Sequence, residues 1–315
     1  MRVVFLDEST LTLDDIDFSP LKALGEYAAY ANSTEEEIIE RATDAAVVIA
    51  NKAPMTRGVL ESLPQLKLVS VIATGYNNVD IEAAKEIGVR VCNVARYASE
   101  TVPQHTFALI LALATRLLDY SADVRAGEWQ KASTFTILRY PTFELSGKTL
   151  GIIGCGAIGR GVANIAEALG MEVLIYDPYA GSENVPSQAE LDHLLRSSDV
   201  VTVHCPLTEE TRGMIDAEAL AKMKPSALLI NTARGGIVDE QALAKALNSG
   251  RLAGAGFDVL TKEPPKDGNV LLGARNIVVT PHSAWSTVEA RQKLVNETAE
   301  NITAFVDGSP RNVIA

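Results

Sequence analysis

Along most of the chain, short runs of apolar and β-branched residues alternate with segments whose apolar positions recur every three to four residues. In the first third, strands are predicted at Val3–Leu6, Ala46–Ala50, Leu66–Ile72 and Val89–Cys92, each a brief apolar run bounded by turn-forming or polar residues. Between them, Thr34–Arg41 and Asp80–Ile87 carry the helical period, and Gly88 stops the second. Strands alternating with helices at this spacing predict a parallel sheet covered on both faces.

From Ser99 to about Tyr120 the pattern is helical, with Ser99 or Thr101 placed as a cap and Pro103 tolerable in the first turn. The stretch from Arg125 to Ser146 is irregular and reads as an arm. At Lys148 a second alternation starts, with strands predicted at Thr149–Ile153, Glu172–Tyr176, Val200–His204, Ala227–Asn231, Ala253–Asp258 and Ile277–Thr280. Helices are predicted at Ala157–Leu169, Gln188–Leu195, Asp216–Met223, Glu240–Ser249 and Thr287–Val306. Six strands with intervening helices make a full dinucleotide-binding domain. The expected fold class is therefore α/β, with two doubly wound parallel-sheet domains. Residues 99–286 form one, inserted into the other, made of 1–98 and 287–315, with a cleft between them.

Composition narrows the partners. The 315 residues suit two domains. The 28 Lys and Arg against 40 Asp and Glu leave a net charge of −12, which repels phosphate backbones and argues against nucleic-acid or membrane-surface binding. Any anionic substrate then needs a local cluster of cations and N–H groups. Cys92, Cys155 and Cys205 have no CxxC spacing, so neither a metal site nor a disulfide framework is expected. The acidic N-terminus and the lack of any apolar run of bilayer length predict a soluble, cytoplasmic protein.

The segment Gly151-Ile152-Ile153-Gly154-Cys155-Gly156-Ala157-Ile158-Gly159 runs from a predicted strand through GxGxxG into a predicted helix. Gly154 permits a tight turn, Gly156 lets a pyrophosphate approach the backbone, and Gly159 lets helix and strand pack closely. The helix start offers unpaired N–H groups to phosphate. The next strand ends at Asp177, 18 residues after Gly159 and close to the ~20 expected of the acid that binds a ribose 2′-hydroxyl. A carboxylate there repels a 2′-phosphate, so NAD rather than NADP is expected.

A nicotinamide enzyme acting on a carbonyl needs a proton donor near neutral pH, by default histidine. Of the four present, His105 and His193 lie in helical segments that suit packing or surface roles, and His204 runs into Cys205-Pro206, which suits loop shaping. His282 follows the last strand, where wound sheets bind ligands, but position alone suits a catalytic and a structural histidine equally. Arg234 lies in a small-residue turn at another strand end, either as a solvated surface charge or as a planar fork gripping a carboxylate. Glu263, before Pro264-Pro265, is either loop decoration or the partner that orients and charges a histidine.

Together these segments resemble the D-2-hydroxyacid dehydrogenase family: GIIGCGAIG, HCPLTEETRGMI, NTARGGIVDE, GAGFDVLTKEPP and TPHSAW follow in family order over nearly the whole chain. Residues 73–80 and 282–285 look most like its glycerate dehydrogenase/hydroxypyruvate reductase branch. The resemblance implies a Rossmann NAD-binding domain inserted into a flavodoxin-like substrate-binding domain. It implies hydride transfer between NAD(H) and a small D-2-hydroxy or 2-keto acid such as hydroxypyruvate or glyoxylate. It gives Arg234 the substrate, His282 the proton and Glu263 the pairing with His282. Thr74 and Gly75 would hold the carboxylate, with Asn51, Lys52, Tyr76 and Trp285 nearby. Gly154, Gly156, Ala157, Ile158 and Gly159 would take the pyrophosphate, and Asp177 the adenosine ribose. Cys205, Pro206 and Thr211 would line the adenine side, and Thr232, Ala233 and Asp258 the nicotinamide. Ala157 stands where many members have Arg, and Pro103 where they often have Ala. Members are usually homodimers, with the arm at 125–146 as the expected contact.

Other readings remain open. A phosphoglycerate dehydrogenase often adds a C-terminal regulatory domain, although short forms exist, and a redox-sensing corepressor resembling the same family usually carries extra tails. Formate dehydrogenases lack the Glu–His pair, and L-hydroxyacid dehydrogenases place the fingerprint near the N-terminus.

Overall fold

In the computed structural model, which describes residues 1–179 and 188–315, the chain divides into two units: Met1–Ala98 with Trp285–Ala315, and Ser99–Ala284. In the first, strands β1 (Arg2–Phe5), β2 (Glu26–Ala29), β3 (Val47–Ala50), β4 (Leu68–Val71) and β5 (Arg90–Cys92) form one parallel sheet in the order β2-β1-β3-β4-β5. That order is flavodoxin-like, and its direction reverses between β1 and β3, where such sheets open a crevice at their carboxyl ends. β3 and β4 are buried throughout, as strands covered on both faces must be, which is why β3 reads as an unbroken apolar run and β4 is interrupted only by Ser70, whose hydroxyl is met by Cys92.

Helices α1 (Ser19–Lys22), α2 (Glu35–Ala42), α3 (Arg57–Glu61) and α4 (Ile81–Ile87) belong to this unit. Local chemistry sets their ends: Thr34 and Glu37 form a capping box at α2, while Asp80 caps α4 and Gly88 closes it at φ 82°. Strand β2 escapes the hydrophobic pattern because it is a partly exposed edge of sequence Glu-Tyr-Ala-Ala. The returning helix Val288–Val306 buries Leu294, Val295 and Ile302. Its Arg291, 4% exposed, forms a two-pronged pair with Asp15, at 2.6 Å for each prong.

The second unit begins with α5 (Thr101–Ala114) and α6 (Leu117–Arg125). The single helix predicted to Tyr120 is thus broken, because Arg116 takes a left-handed φ of 54° while its side chain bonds Asp119. Nor do Ser99 and Thr101 cap it: the N-cap is Glu100, without a side-chain bond, and Thr101 is already helical. Pro103 sits in the first turn, and a Cβ on Gly161 would lie 2.8 Å from its ring, so the proline and the glycine are fitted to each other.

The sheet comprises β6 (Thr149–Ile153), β7 (Glu172–Tyr176), β8 (Val200–Val203), β9 (Leu228–Asn231), β10 (Gly254–Phe257) and β11 (Ile277–Val279), in the order β11-β10-β9-β8-β6-β7 and parallel throughout. Helices α7 (Ala157–Ala168), α8 (Leu191–Ser197), α9 (Ala217–Lys222) and α10 (Glu240–Asn248) cross over between strands. One core packs Val201, Leu229, Leu243, Leu247 and Phe257, and another packs Leu109, Leu113, Ile152, Val162 and Ile230. This is a Rossmann arrangement, with its switch point beside β6. Among the described residues no helix is long and apolar enough to cross a membrane, and no cluster of His, Cys, Asp or Glu is placed to hold a metal.

Candidate active site

The glycine-rich turn lies at the carboxyl end of β6, and each glycine answers a different demand. Gly154 has φ 93°, and a Cβ there would sit 2.6 Å from the Cys205 nitrogen. A Cβ on Gly159 would fall 2.2 Å from the Gly154 carbonyl oxygen, so helix and strand meet there backbone to backbone. At Gly156 a Cβ would meet nothing within 4 Å: its Cα faces open space at the start of α7, which has no side-chain cap. A helix start with uncapped N–H groups beside an open Cα is a cradle for phosphate, and the site thereby fits a dinucleotide. Ala157 and Ile158 occupy the first turn of α7.

Asp177 follows β7. Its Oδ2 accepts the Cys155 N–H at 2.8 Å and its Oδ1 the Tyr179 N–H at 3.0 Å, which fixes the carboxylate beside the turn. Past β8, Thr211 bonds the Pro206 carbonyl at 2.7 Å, and burial pushes the Cys205 thiol up to about 11. His204 bonds Thr202 at 2.8 Å, and burial pushes it down to about 3. It is a neutral, structural histidine and no proton donor at neutral pH. His193 is exposed on α8, near Ser197.

Arg234, Glu263 and His282 stand after β9, β10 and β11, three neighbouring strands of one sheet. Strands about 4.8 Å apart bring all three loops to one edge. Buried Asn231 shapes the arginine turn, its Oδ1 accepting the Ala233 N–H at 3.0 Å and its Nδ2 donating to the Arg234 carbonyl at 2.8 Å. The Arg234 guanidinium is half-buried and donates to the Ala233 carbonyl at 2.7 Å. Gly235 lets the next loop close down, since a Cβ there would lie 2.0 Å from the Leu260 carbonyl carbon. That loop carries Glu263, whose Oε1 accepts the Leu260 N–H at 2.7 Å and whose Oε2 lies 2.5 Å from Nδ1 of His282. A carboxylate only accepts, so Nδ1 carries a proton and Nε2 is the ring nitrogen whose protonation can change.

His282 itself has φ 54°, an uncommon conformation for a side-chain-bearing residue. Asp258 holds it there. Its Oδ1 accepts the Ser283 N–H and its Oδ2 the Ala284 N–H, both at 2.9 Å, and its carbonyl accepts the His282 N–H at 2.8 Å. Asp258 is 2% exposed, so its carboxylate is committed to this turn. Nearby, Thr232 bonds Thr106 of α5 at 3.1 Å. Neither Asn231 nor Gly235 stands out by residue type, and only their places beside Arg234 could have flagged them.

The other predicted residues lie in the first unit, at the carboxyl ends of β3 and β4 and at the start of the returning segment. Asp7, 3% exposed, accepts N–H groups from Asn51 (2.9 Å), Lys52 (2.5 Å) and Ala53 (2.8 Å). It therefore anchors the loop at the switch point, and nothing in the sequence marked it. Asn51 is buried, its amide donating to Thr10 at 2.9 Å, so it shapes this loop and does not face outward. Thr74 bonds the Val94 carbonyl at 2.9 Å and its own carbonyl accepts from Asn93 at 2.7 Å, while Lys52 and Tyr76 are exposed. Trp285 packs edge-on against Tyr97, with centroids 6.3 Å apart.

Residues 107–284 match the profile of a family described as D-isomer specific 2-hydroxyacid dehydrogenase, NAD binding domain. A glycerate dehydrogenase of Methylorubrum extorquens is 47% identical over 318 aligned residues, covering 99% of this chain and 98% of that one. A hydroxypyruvate reductase of Blautia hydrogenotrophica is 43% identical over 321, covering 100% and 99%. Among solved structures, the D-lactate dehydrogenase of Aquifex aeolicus complexed with NAD and lactic acid superposes with a TM-score of 0.82 at 31% identity, covering 98% of this chain and 96% of that one.

Proposed function

The chain belongs to the D-isomer specific 2-hydroxyacid dehydrogenase family, and from that premise we propose that it interconverts hydroxypyruvate or glyoxylate with the corresponding 2-hydroxy acid. The observation that carries the chemistry is the 2.5 Å contact between Glu263 and Nδ1 of His282, on the same sheet edge as Arg234. The relatives named glycerate dehydrogenase and hydroxypyruvate reductase support a small, polar substrate side chain.

NADH, when bound, supplies the hydride that adds to the keto carbon. The carbonyl π electrons move onto oxygen, where the Arg234 guanidinium stabilises the developing negative charge. His282, protonated at both nitrogens, gives the Nε2 proton to that oxygen, and Glu263 stabilises the imidazolium through Nδ1. In the reverse direction neutral His282 takes the hydroxyl proton. Gly154, Gly156, Ala157, Ile158 and Gly159 would hold the pyrophosphate and Asp177 the adenosine ribose, which favours NAD over NADP. Cys205, Pro206 and Thr211 would line the adenine, with Thr232 and Ala233 beside the nicotinamide. Lys52, Thr74, Gly75, Tyr76 and Trp285 would serve the substrate carboxylate and side chain.

The arm and α6 expose Leu117, Leu118, Trp129, Phe135 and Leu138. An apolar surface of this kind supports a homodimer joined through this face. Three free thiols suit a reducing cytoplasm.

A panel of hydroxypyruvate, glyoxylate, pyruvate and phosphohydroxypyruvate, each with NADH and NADPH, tests the assignment. Hydroxypyruvate or glyoxylate with NADH is expected to give the highest kcat/KM. A preference for phosphohydroxypyruvate, or turnover of none, would contradict it.

A further inference from the structure

We propose that His105 is a positioning residue for this reaction, donating from Nε2 through Thr280 to the Asp258 carboxylate that fixes the turn bearing His282. The role presupposes the dehydrogenase chemistry above, in which only His282 handles the proton.

The donors around Asp258 fix the direction of this run of hydrogen bonds. Asp258 Oδ1 accepts the Thr280 hydroxyl at 2.5 Å and the Ser283 N–H, while Oδ2 accepts the Ala284 N–H. With three donors converging on it, the carboxylate has no proton to give. Thr280 therefore spends its single hydroxyl proton on Asp258 and turns a lone pair towards His105, 3.0 Å away. The contact is a hydrogen bond only if His105 Nε2 carries the proton, so the tautomer is Nε2–H. The same nitrogen lies 3.6 Å from Asp258 Oδ1.

His105 does not act alone on this turn. Thr101, four residues earlier and on the same face of α5, donates its hydroxyl to the Ala284 carbonyl at 3.2 Å. One helix face thus grips the loop on both sides of His282, at Thr280 and at Ala284, while Asp258 holds its middle. This matters because His282 sits at φ 54°, and a residue in so sparsely populated a region stays there only when its surroundings over-determine it. Without the His105 donor, Thr280 keeps its bond to Asp258 but loses the one that ties it to α5, so the helix holds the turn on one side of His282 only. The turn can then relax and carry His282 away from Glu263.

The test compares His105→Phe, which fills the space without a donor, with His105→Gln, whose amide nitrogen falls near the Nε2 position. In His105→Phe, kcat for keto-acid reduction is expected to fall about tenfold, since small misplacements of a reacting group cost this much or more. The NADH dissociation constant is expected to stay within about twofold, and His105→Gln to recover most of the lost kcat. In the wild-type protein labelled with 15N-histidine, the His105 signals should show a protonated Nε2 and a bare Nδ1. Normal kcat in His105→Phe, a Gln variant as slow as the Phe variant, or the opposite tautomer would each overturn the proposal. A wild type inert on every keto acid of the panel would remove the reaction itself, and the panel assay, not the His105 variants, reports that.

Discussion

The Glu263 carboxylate reaches Nδ1 of His282 at 2.5 Å while its other oxygen accepts the Leu260 N–H at 2.7 Å. It is therefore held from the main chain and in turn holds the imidazole. Glu263→Gln keeps the size and an acceptor oxygen but loses the charge that stabilises an imidazolium. We expect kcat/KM for keto-acid reduction to fall by about 10- to 100-fold, with NADH affinity unchanged in a fluorescence titration. Unaltered kcat/KM would show that the charge of Glu263 has no part in catalysis.

Two glycines should respond in opposite ways to the same methyl group. At Gly235 a Cβ would meet the Leu260 carbonyl carbon at 2.0 Å and the Thr261 nitrogen at 2.2 Å, main-chain atoms that cannot swing aside. Gly235→Ala is expected to cost about 1–3 kcal/mol, seen as a lower Tm, and to pull the Glu263 loop away from Arg234 with loss of turnover. At Gly156 the space is open and φ is an ordinary −68°. Gly156→Ala is expected to melt like the wild type and to bind NADH more weakly, because the methyl occupies the phosphate cradle. Equal Tm values for wild type and Gly235→Ala, or full NADH affinity in Gly156→Ala, would refute the corresponding half.

In the proposed reading Asp177 decides the choice of cofactor, since a carboxylate accepts from a ribose 2′-hydroxyl and repels a 2′-phosphate. Asp177→Ala should weaken NADH and raise the ratio of kcat/KM for NADPH over NADH by about tenfold, one charge contact's worth. A wild type that uses both cofactors equally would contradict this.

What the sequence disclosed and what it withheld follow the range of the interactions involved. The turn Gly154 to Gly159 is legible because its demands are local, imposed by backbone within one strand–turn–helix unit. Arg234, Glu263 and His282 are legible as strand-end residues in the family order. The supports of His282 are not, because His105 lies 175 residues from Thr280, and Thr101 lies 183 from Ala284; a helical histidine and a presumed cap residue carry no sign of those contacts. Asn51 is placed near the substrate by the family resemblance alone, and its amide bond to Thr10, 41 residues away, has no local sign in the sequence. The break at Arg116 was hidden because neither glycine nor proline marks it.

Burial of His204 gives a stability signature with a definite sign. Its folded-state value is pushed down to about 3, whereas an unfolded histidine titrates near ~6.5. Below ~6.5 the unfolded chain takes up a proton that the folded chain refuses. Stability from this residue is thus complete above that pH and is lost as pH falls towards 3. The loss amounts to about 2 kcal/mol by pH 5. Urea unfolding at pH 7.5 and pH 5 should show this difference for the wild type relative to His204→Gln. Identical pH dependence in the two proteins would mean that His204 protonates freely in the fold.

In the proposed reaction His282 delivers the proton to the keto oxygen, and its removal separates that role from cofactor binding. Wild type and His282→Ala should be assayed for kcat/KM with hydroxypyruvate and NADH, alongside the NADH dissociation constant of each. Removing a general acid should lower kcat/KM by about 10²- to 10⁴-fold while NADH binds as before. If His282→Ala keeps wild-type kcat/KM with intact NADH binding, the proton comes from elsewhere and the assignment of His282 is wrong.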